Sequence, residues 1–121
     1  MRFAHLPSTR ALRIGFAIAL ALVLVVSLWP MPEPPPINTG WDKTDHVAAF
    51  VVLGLLGLPS WPDHRVRVLV GLLLYGALIE VLQAFTVYRH ADWRDWVADA
   101  IGIGLAALVA AIWRGRRRRR T

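Results

Sequence analysis

Two polar residues interrupt a long apolar run in the second half of the chain. Within LLLYGALIEVLQAF, residues 72–85, Glu80 and Gln83 are three positions apart and share a helix face with Gly76. Glu80 lies five residues inward from Phe85, roughly 7 to 8 Å along a helix axis at a rise of about 1.5 Å per residue. An ionised carboxylate facing lipid at this depth would cost on the order of 2 to 3 kcal/mol. We therefore expect both side chains to face the interior of a helix bundle.

Two further segments carry ionisable residues that would lie at the same depth. In RHADWRDWVADAIGIGLA, residues 89–106, three aspartates recur at steps of three and four and form one stripe with Gly102. In DKTDHVAAF, residues 42–50, an aspartate and a histidine four positions apart share a helix face. The residues expected to line one polar pocket are Asp42, Lys43, His46, Glu80, Gln83, Arg89, Asp95 and Asp99.

These side chains are compatible with several kinds of chemistry. Carboxylates with one imidazole suit a divalent cation, but the spacing matches neither HExxH nor an EF-hand loop, so we expect no metal and no other cofactor. Crowded carboxylates and a histidine also suit general acid–base chemistry. Lys43, His46 and Arg89 suit recognition of a phosphate or carboxylate head group. A structural alternative is that the polar groups only join helices, at about 1 kcal/mol per hydrogen bond.

The composition indicates that a membrane surrounds the helices carrying these residues. The chain has 121 residues, of which 56% are hydrophobic and 18% charged, and a soluble domain of this size could not bury so much apolar surface. We predict an all-α integral membrane protein with four transmembrane helices, over residues 12–29, 42–61, 66–85 and 93–113. The predicted organisation is a basic N-terminus at 1–11, a membrane domain at 12–113 and an arginine-rich tail at 114–121.

The first apolar segment has an alternative interpretation as a cleaved signal peptide. Its apolar run is long, however, and no A-x-A-like site precedes WPMPEPPP, so we favour an uncleaved span. The prolines that follow, within residues 30–40, remove backbone donors and predict an extended connector.

The distribution of charge predicts the orientation in the membrane. If both termini are cytoplasmic, eleven of the fourteen lysines and arginines lie on the inner side, as the positive-inside rule requires. Of the eight acidic residues, only Asp63 then lies on that side. The net charge of +6 comes largely from the tail, which we interpret as an anchor for anionic lipids rather than a nucleic-acid site.

The polar residues together resemble the VanZ-like family of small bacterial membrane proteins, over about residues 40–106. The family pattern is D-K-x-x-H-x-x-x-F, then E-x-x-Q, then R followed six positions later by D-x-x-x-N-x-x-G. The residues that fit it are Asp42, Lys43, His46, Phe50, Glu80, Gln83, Arg89, Asp95 and Gly102. Asp99 stands where the family usually has asparagine. Because an ionised carboxylate only accepts hydrogen bonds, a buried Asp99 beside Asp95 is expected to share a proton or a cation with it.

The resemblance implies a multi-pass protein of the bacterial inner membrane with a role in the cell envelope. The family's namesake is associated with resistance to the glycopeptide teicoplanin. The expected partners are membrane lipids and a lipid-linked cell-wall precursor, with no nucleic acid, and a homo-oligomer is left open. Because no catalytic motif is recognised, a binding role is preferred. The alternatives are an enzyme acting on a lipid head group or wall precursor, and a structural membrane adaptor.

Overall fold

The computed structural model describes residues 7–30, 41–87 and 91–120, without the side chains of Trp41 and Asp42. The described residues form four α-helices and no strand, so the prediction of an all-α chain is confirmed. Apart from Pro30, the predicted proline-rich connector lies outside the described residues. The helices are α1 at Thr9–Leu28, α2 at Trp41–Ser60, α3 at Arg65–Ala84 and α4 at Trp93–Arg119.

Three of these helices are long and apolar enough to cross a membrane, namely α1, α3 and α4. Helix α2 has the same length as α1 and α3 but begins with WDKTDH, so charged and polar residues occupy its first two turns. Length and composition therefore support three of the four predicted membrane-spanning helices.

The ends of the helices follow from capping and from charge. Ser8 and Asp92 are the N-caps of α1 and α4, and their side chains accept backbone N–H groups two or three residues further on, at 3.1 and 2.9 Å. Helix α4 continues to Arg119, six residues beyond its predicted end at Trp113. Arginine favours helical backbone, and cations near a helix C-terminus stabilise it, so the first six tail residues remain helical.

The helices alternate in direction through the bundle. Arg13, early in α1, donates to the carbonyl of Ser60 at the end of α2, at 3.0 Å. Gln83, near the end of α3, donates to the carbonyl of Ser27 near the end of α1, at 2.9 Å. We call the end of the bundle formed by residues 26–29, 41–46, 79–84 and 91–99 the polar end. The opposite end, formed by residues 9–13, 60–67 and 113–120, is the basic end.

Helix α2 packs against all three other helices, and most extensively against α4. Small residues allow the close approach of these two helices: a Cβ atom at Gly102 would lie 2.5 Å from the carbonyl oxygen of Val47, and one at Gly54 would collide with Ala106. The side chains that form the core are Phe50, Leu53, Leu72, Ile79 and Ile103. This core holds the first turns of α2 and α4 side by side.

Candidate functional site

Five of the eight predicted site residues meet at the polar end. Lys43 and His46 come from the first two turns of α2, Asp95 and Asp99 from the first two turns of α4, and Glu80 from the last two turns of α3. The spacings of three on α2 and four on α4 place each pair on one helix face. Since α2 and α4 pack closely, these two faces oppose each other.

Ion pairs connect α2 to α4 across this contact. Lys43 Nζ lies 3.2 Å from Asp95 Oδ1 and 3.4 Å from Asp92 Oδ2. His46 Nδ1 lies 2.7 Å from Asp99 Oδ1, and His46 Nε2 lies 3.8 Å from Asp95 Oδ2. The imidazole is therefore held between two carboxylates, and Asp95 is shared by the two basic side chains.

Asp99 is fully buried, and only one of its oxygens has a partner. Its Oδ2 makes no hydrogen bond among the described residues. It lies against Gly76 of α3, where an added Cβ would be 2.9 Å from Oδ2. Glycine at position 76 therefore leaves room for this carboxylate between α3 and α4.

Glu80 connects α3 to the beginning of α4. Its Oε2 accepts the backbone N–H of Asp92 at 3.1 Å, whereas its Oε1 is buried and makes no hydrogen bond to any described residue. One ligand atom from each of Glu80, His46 and Asp99 lies within 4.8 Å of the other two. The carboxylate thus faces the bundle interior rather than lipid.

Gln83 is buried one turn beyond Glu80 and does not join the ion pairs. Its Nε2 donates to the carbonyl of Ser27, which ties the end of α3 to the end of α1, and its Oε1 makes no hydrogen bond among the described residues. The participation of α1 in the polar end is not predictable from the sequence, because every residue has a backbone carbonyl.

Asp92 also belongs to the site, although the pocket predicted from the sequence does not include it. Its spacing of three from Asp95 places both aspartates on one helix face and is the sequence feature that indicates it. The N–H of Arg94 and the ammonium of Lys43 hold the pKa of Asp92 below its ordinary value. Two predicted members, Arg89 and the side chain of Asp42, lie outside the part of the chain that the structure describes.

A groove of about 530 Å³ runs beside the cluster, between α2 and α4. Its walls are apolar along both helices, and its two cationic side chains lie at the polar end. Val97 is 38% exposed and Ile101 is 53% exposed, so the groove opens away from the bundle interior. The residues that matter for its chemistry are Lys43, Val47, Trp93, Arg94, Val97 and Ile101.

The sequence model of the VanZ/LLP1 family matches residues 8–114, which include most of all four helices. The chain belongs to the VanZ/LLP1 family. The resemblance noted over residues 40–106 is confirmed, and the match extends it to α1. No curated protein matches the chain. No solved structure matches it either.

In this VanZ/LLP1 protein the polar end presents two different chemical surfaces. The groove side presents the cations of Lys43 and Arg94 above apolar walls. The interior side presents oxygens of Glu80, Gln83 and Asp99 that have no donor among the described residues. Buried polar atoms without partners are uncommon in folded proteins and destabilise them. The first surface thus combines basic and apolar side chains, and the second consists of hydrogen-bond acceptors.

Proposed function

We propose that this chain is a four-span protein of the bacterial inner membrane, with both termini in the cytoplasm and the polar end facing outward. The distribution of lysine and arginine supports this orientation, since residues 2–13, the beginning of α3 and residues 114–120 together hold eleven of the fourteen. The contacts of α2 support a fourth crossing, because α2 packs against three apolar helices and its polar first turns face α4.

The function that the site supports best is binding of a lipid, or a lipid-linked envelope component, that has an anionic head group. The groove between α2 and α4 carries this proposal. Its apolar walls would contact an acyl or polyprenyl chain, and Lys43 and Arg94 would contact the phosphate. Trp93 is 71% exposed at the mouth of the groove, a position typical of tryptophan at a membrane interface.

The acidic cluster behind the groove would position its basic residues. Asp92 and Asp95 contact the Lys43 ammonium at 3.4 and 3.2 Å and would hold it at the mouth of the groove. Arg94 lies over the ring of Trp93, with 5.8 Å between the guanidinium carbon and the ring centroid. The proposed site keeps the eight predicted residues and adds Arg94, with Lys43, Arg89 and Arg94 as the basic contacts to the head group.

The test is lipid retention measured by native mass spectrometry on protein purified in mild detergent. We expect the wild type to retain phosphatidylglycerol better than phosphatidylcholine, and Arg94→Ala to weaken the retention of phosphatidylglycerol about tenfold, equivalent to about 1.4 kcal/mol. Val97→Trp should fill the groove and abolish retention. Leu108→Trp is the matched control, since Leu108 is on the same helix, 57% exposed and outside the groove. Equal retention by the two tryptophan variants would overturn the proposal.

The wider role proposed for this binding is in the cell envelope, including the response to teicoplanin-type glycopeptides. Membership of the VanZ/LLP1 family supports this role. The measurement is glycopeptide susceptibility of a deletion strain complemented with each variant. Complementation by Leu108→Trp but not by Val97→Trp is expected. Equal complementation by both variants would show that the groove is not needed for the envelope role.

A second candidate is turnover of the head group, and it rests on the pairing of His46 with Asp99. A histidine whose Nδ1 contacts a buried carboxylate at 2.7 Å has the arrangement of a general base with its orienting partner. In this candidate His46 would take a proton from a water molecule, the water oxygen would bond to the phosphorus, and the bond from phosphorus to the head-group oxygen would break, with the proton passing to the leaving oxygen. Release of the head group should stop in His46→Ala while the lipid still binds. A wild type that releases no head group would eliminate it.

A further inference from the structure

We propose that the interior of the cluster binds one divalent transition-metal ion, with His46, Glu80 and Asp99 as its protein ligands. Each residue offers one donor atom, and the three atoms lie within 4.8 Å of one another. They come from α2, α3 and α4, so the ion would join three helices at the polar end. This site is separate from the lipid groove, which lies on the outer side of α2 and α4.

Unpaired oxygens on two of the three residues provide a second and independent observation. Asp99 is fully buried, and its Oδ2 has no partner among the described residues. Glu80 Oε1 is likewise buried without a hydrogen bond to any described residue. Asp99 Oδ2 lies against Gly76, one helical turn from Glu80 on the same face of α3. Both residues that carry an unpaired oxygen thus belong to the group whose donor atoms lie within 4.8 Å of one another, as they would beside a bound cation.

Among the described residues of the cluster, carboxylates outnumber basic side chains, which favours a bound cation. Lys43 pairs with Asp92 and Asp95, which leaves Glu80 and Asp99 with His46 as their basic neighbour among the described residues. Two carboxylates in a poorly solvated site destabilise each other unless opposite charge lies between them. A divalent ion would supply two positive charges and would bind His46 as neutral imidazole.

The donor set indicates which ions fit. One imidazole nitrogen with two carboxylate oxygens suits Zn²⁺ or Mn²⁺ better than Mg²⁺ or Ca²⁺, which prefer oxygen ligands alone. Bonds of about 2.0 to 2.2 Å hold donor atoms roughly 3 to 4 Å apart, so the side chains would move by less than about 1 Å. Asp95, 3.8 Å from His46 Nε2, would accept the N–H of the ring nitrogen that does not bind the ion.

The departure of this chain from its family pattern is consistent with such a site. The pattern has asparagine at position 99, and a neutral amide offers one acceptor oxygen, whereas Asp99 offers two and a negative charge. One oxygen of Asp99 contacts His46 and the other is unpaired. Asp99 can therefore act as an anionic ligand, which is a stronger donor to a divalent ion than an amide.

The experiment measures metal content and affinity on full-length protein purified with a histidine-free tag. The protein is stripped with chelator and incubated with ZnCl₂, and its zinc content is measured by elemental mass spectrometry. The wild type should retain one zinc ion per chain. Asp99→Asn and Glu80→Gln should each lower zinc affinity at least tenfold. Asp45→Asn is the matched control, because Asp45 is an exposed carboxylate on the same turns of α2, and it should bind as the wild type does.

Two readouts keep this proposal testable if a variant fails to fold. X-ray absorption of zinc bound to the wild type should show one imidazole and otherwise oxygen ligands. Val97→Trp should retain zinc while losing lipid, so failure of the groove proposal and failure of the metal proposal are distinguishable. The metal site would be overturned if the wild type bound neither zinc nor manganese at one ion per chain. It would also be overturned if Asp99→Asn and Glu80→Gln both bound zinc as tightly as the wild type.

Discussion

The two ends of the bundle both carry charge, but they hold it in different ways. At the polar end the charges lie between helices: Asp99 is fully buried, Asp95 is 8% exposed, and both contact basic side chains of α2. At the basic end the side chains of residues 116–120 are all exposed. There Arg13 and Arg117 lie over the rings of tryptophans, 5.0 and 4.7 Å from the ring centroids.

This difference distinguishes charges that need particular partners from charges that act only by attraction to a membrane surface. Exposed arginines near a membrane surface attract anionic lipids without a fixed geometry, and one can substitute for another. Buried carboxylates are stable only with particular partners at particular distances, so each substitution there has a defined consequence. This contrast supports the proposals that specific binding occurs at the polar end and that the basic end sets the orientation of the protein.

The largest effect should follow from removing one partner of the buried pair. His46→Phe removes the basic neighbour that Asp99 has among the described residues, and breaking a buried pair on one side costs about 3 to 5 kcal/mol. The free energy of unfolding, measured by SDS titration of the chelator-treated protein in mixed micelles, should fall by about that amount. Arg117→Ala at the basic end is the control, and it should change the value by less than about 0.5 kcal/mol.

A double variant distinguishes an unpaired charge from a simple loss of packing. In His46→Phe combined with Asp99→Asn, position 99 no longer carries a buried unpaired charge, so about 2 kcal/mol of the loss should be recovered. If the two substitutions were additive instead, the ion pair would not be the reason for the sensitivity of the polar end.

The next effect concerns the close approach of α2 and α4. A Cβ in Gly102→Ala would meet the backbone oxygen of Val47 at 2.5 Å, so the two helices must separate, at a cost of about 1 to 3 kcal/mol. Gly104→Ala is the control two residues away, because its Cβ would meet nothing within 4 Å. The control should be neutral or stabilising by up to about 1 kcal/mol, and equal effects of both in the same titration would contradict this account.

A smaller effect is expected where α1 joins the polar end. Gln83→Leu removes the hydrogen bond to the carbonyl of Ser27 and should lower the free energy of unfolding by about 1 kcal/mol. Ala84→Leu places the same side chain at the exposed neighbouring position and should have no measurable effect in the same titration. A neutral Gln83→Leu would mean that packing alone holds α1 in place.

The helices were predictable because apolar periodicity and length are written directly in the sequence. The ends of α1, α2 and α3 fall within three residues of the predicted segments 12–29, 42–61 and 66–85. The predicted fourth span ends at Trp113, and α4 continues six residues further to Arg119, because arginine favours helical backbone as well as carrying charge. The meeting of Lys43, His46, Glu80, Asp95 and Asp99 was also predictable, since helical spacing and membrane depth suffice for it.

The contacts that complete the site could not be predicted in the same way. Glu80 accepts the backbone N–H of Asp92, and this hydrogen bond depends on the direction in which the chain enters α4. The fit of Asp99 against Gly76 depends on the distance between α3 and α4. These are properties of how helices pack, and no periodic pattern within a single helix encodes them.

The smallest effect on stability should come from the basic tail, where the expected change is in orientation instead. Replacing residues 116–120 with glutamine removes five exposed arginines, and the free energy of unfolding should change by less than about 0.5 kcal/mol. The inner excess of positive charge falls, so the fraction of molecules with a cytoplasmic C-terminus, measured with a C-terminal topology reporter, should decrease. A loss of more than about 1 kcal/mol would instead show that the tail makes specific contacts, such as that of Arg117 with Trp113. The two ends would then both depend on defined partners, and the separation of specificity from anchoring would no longer hold.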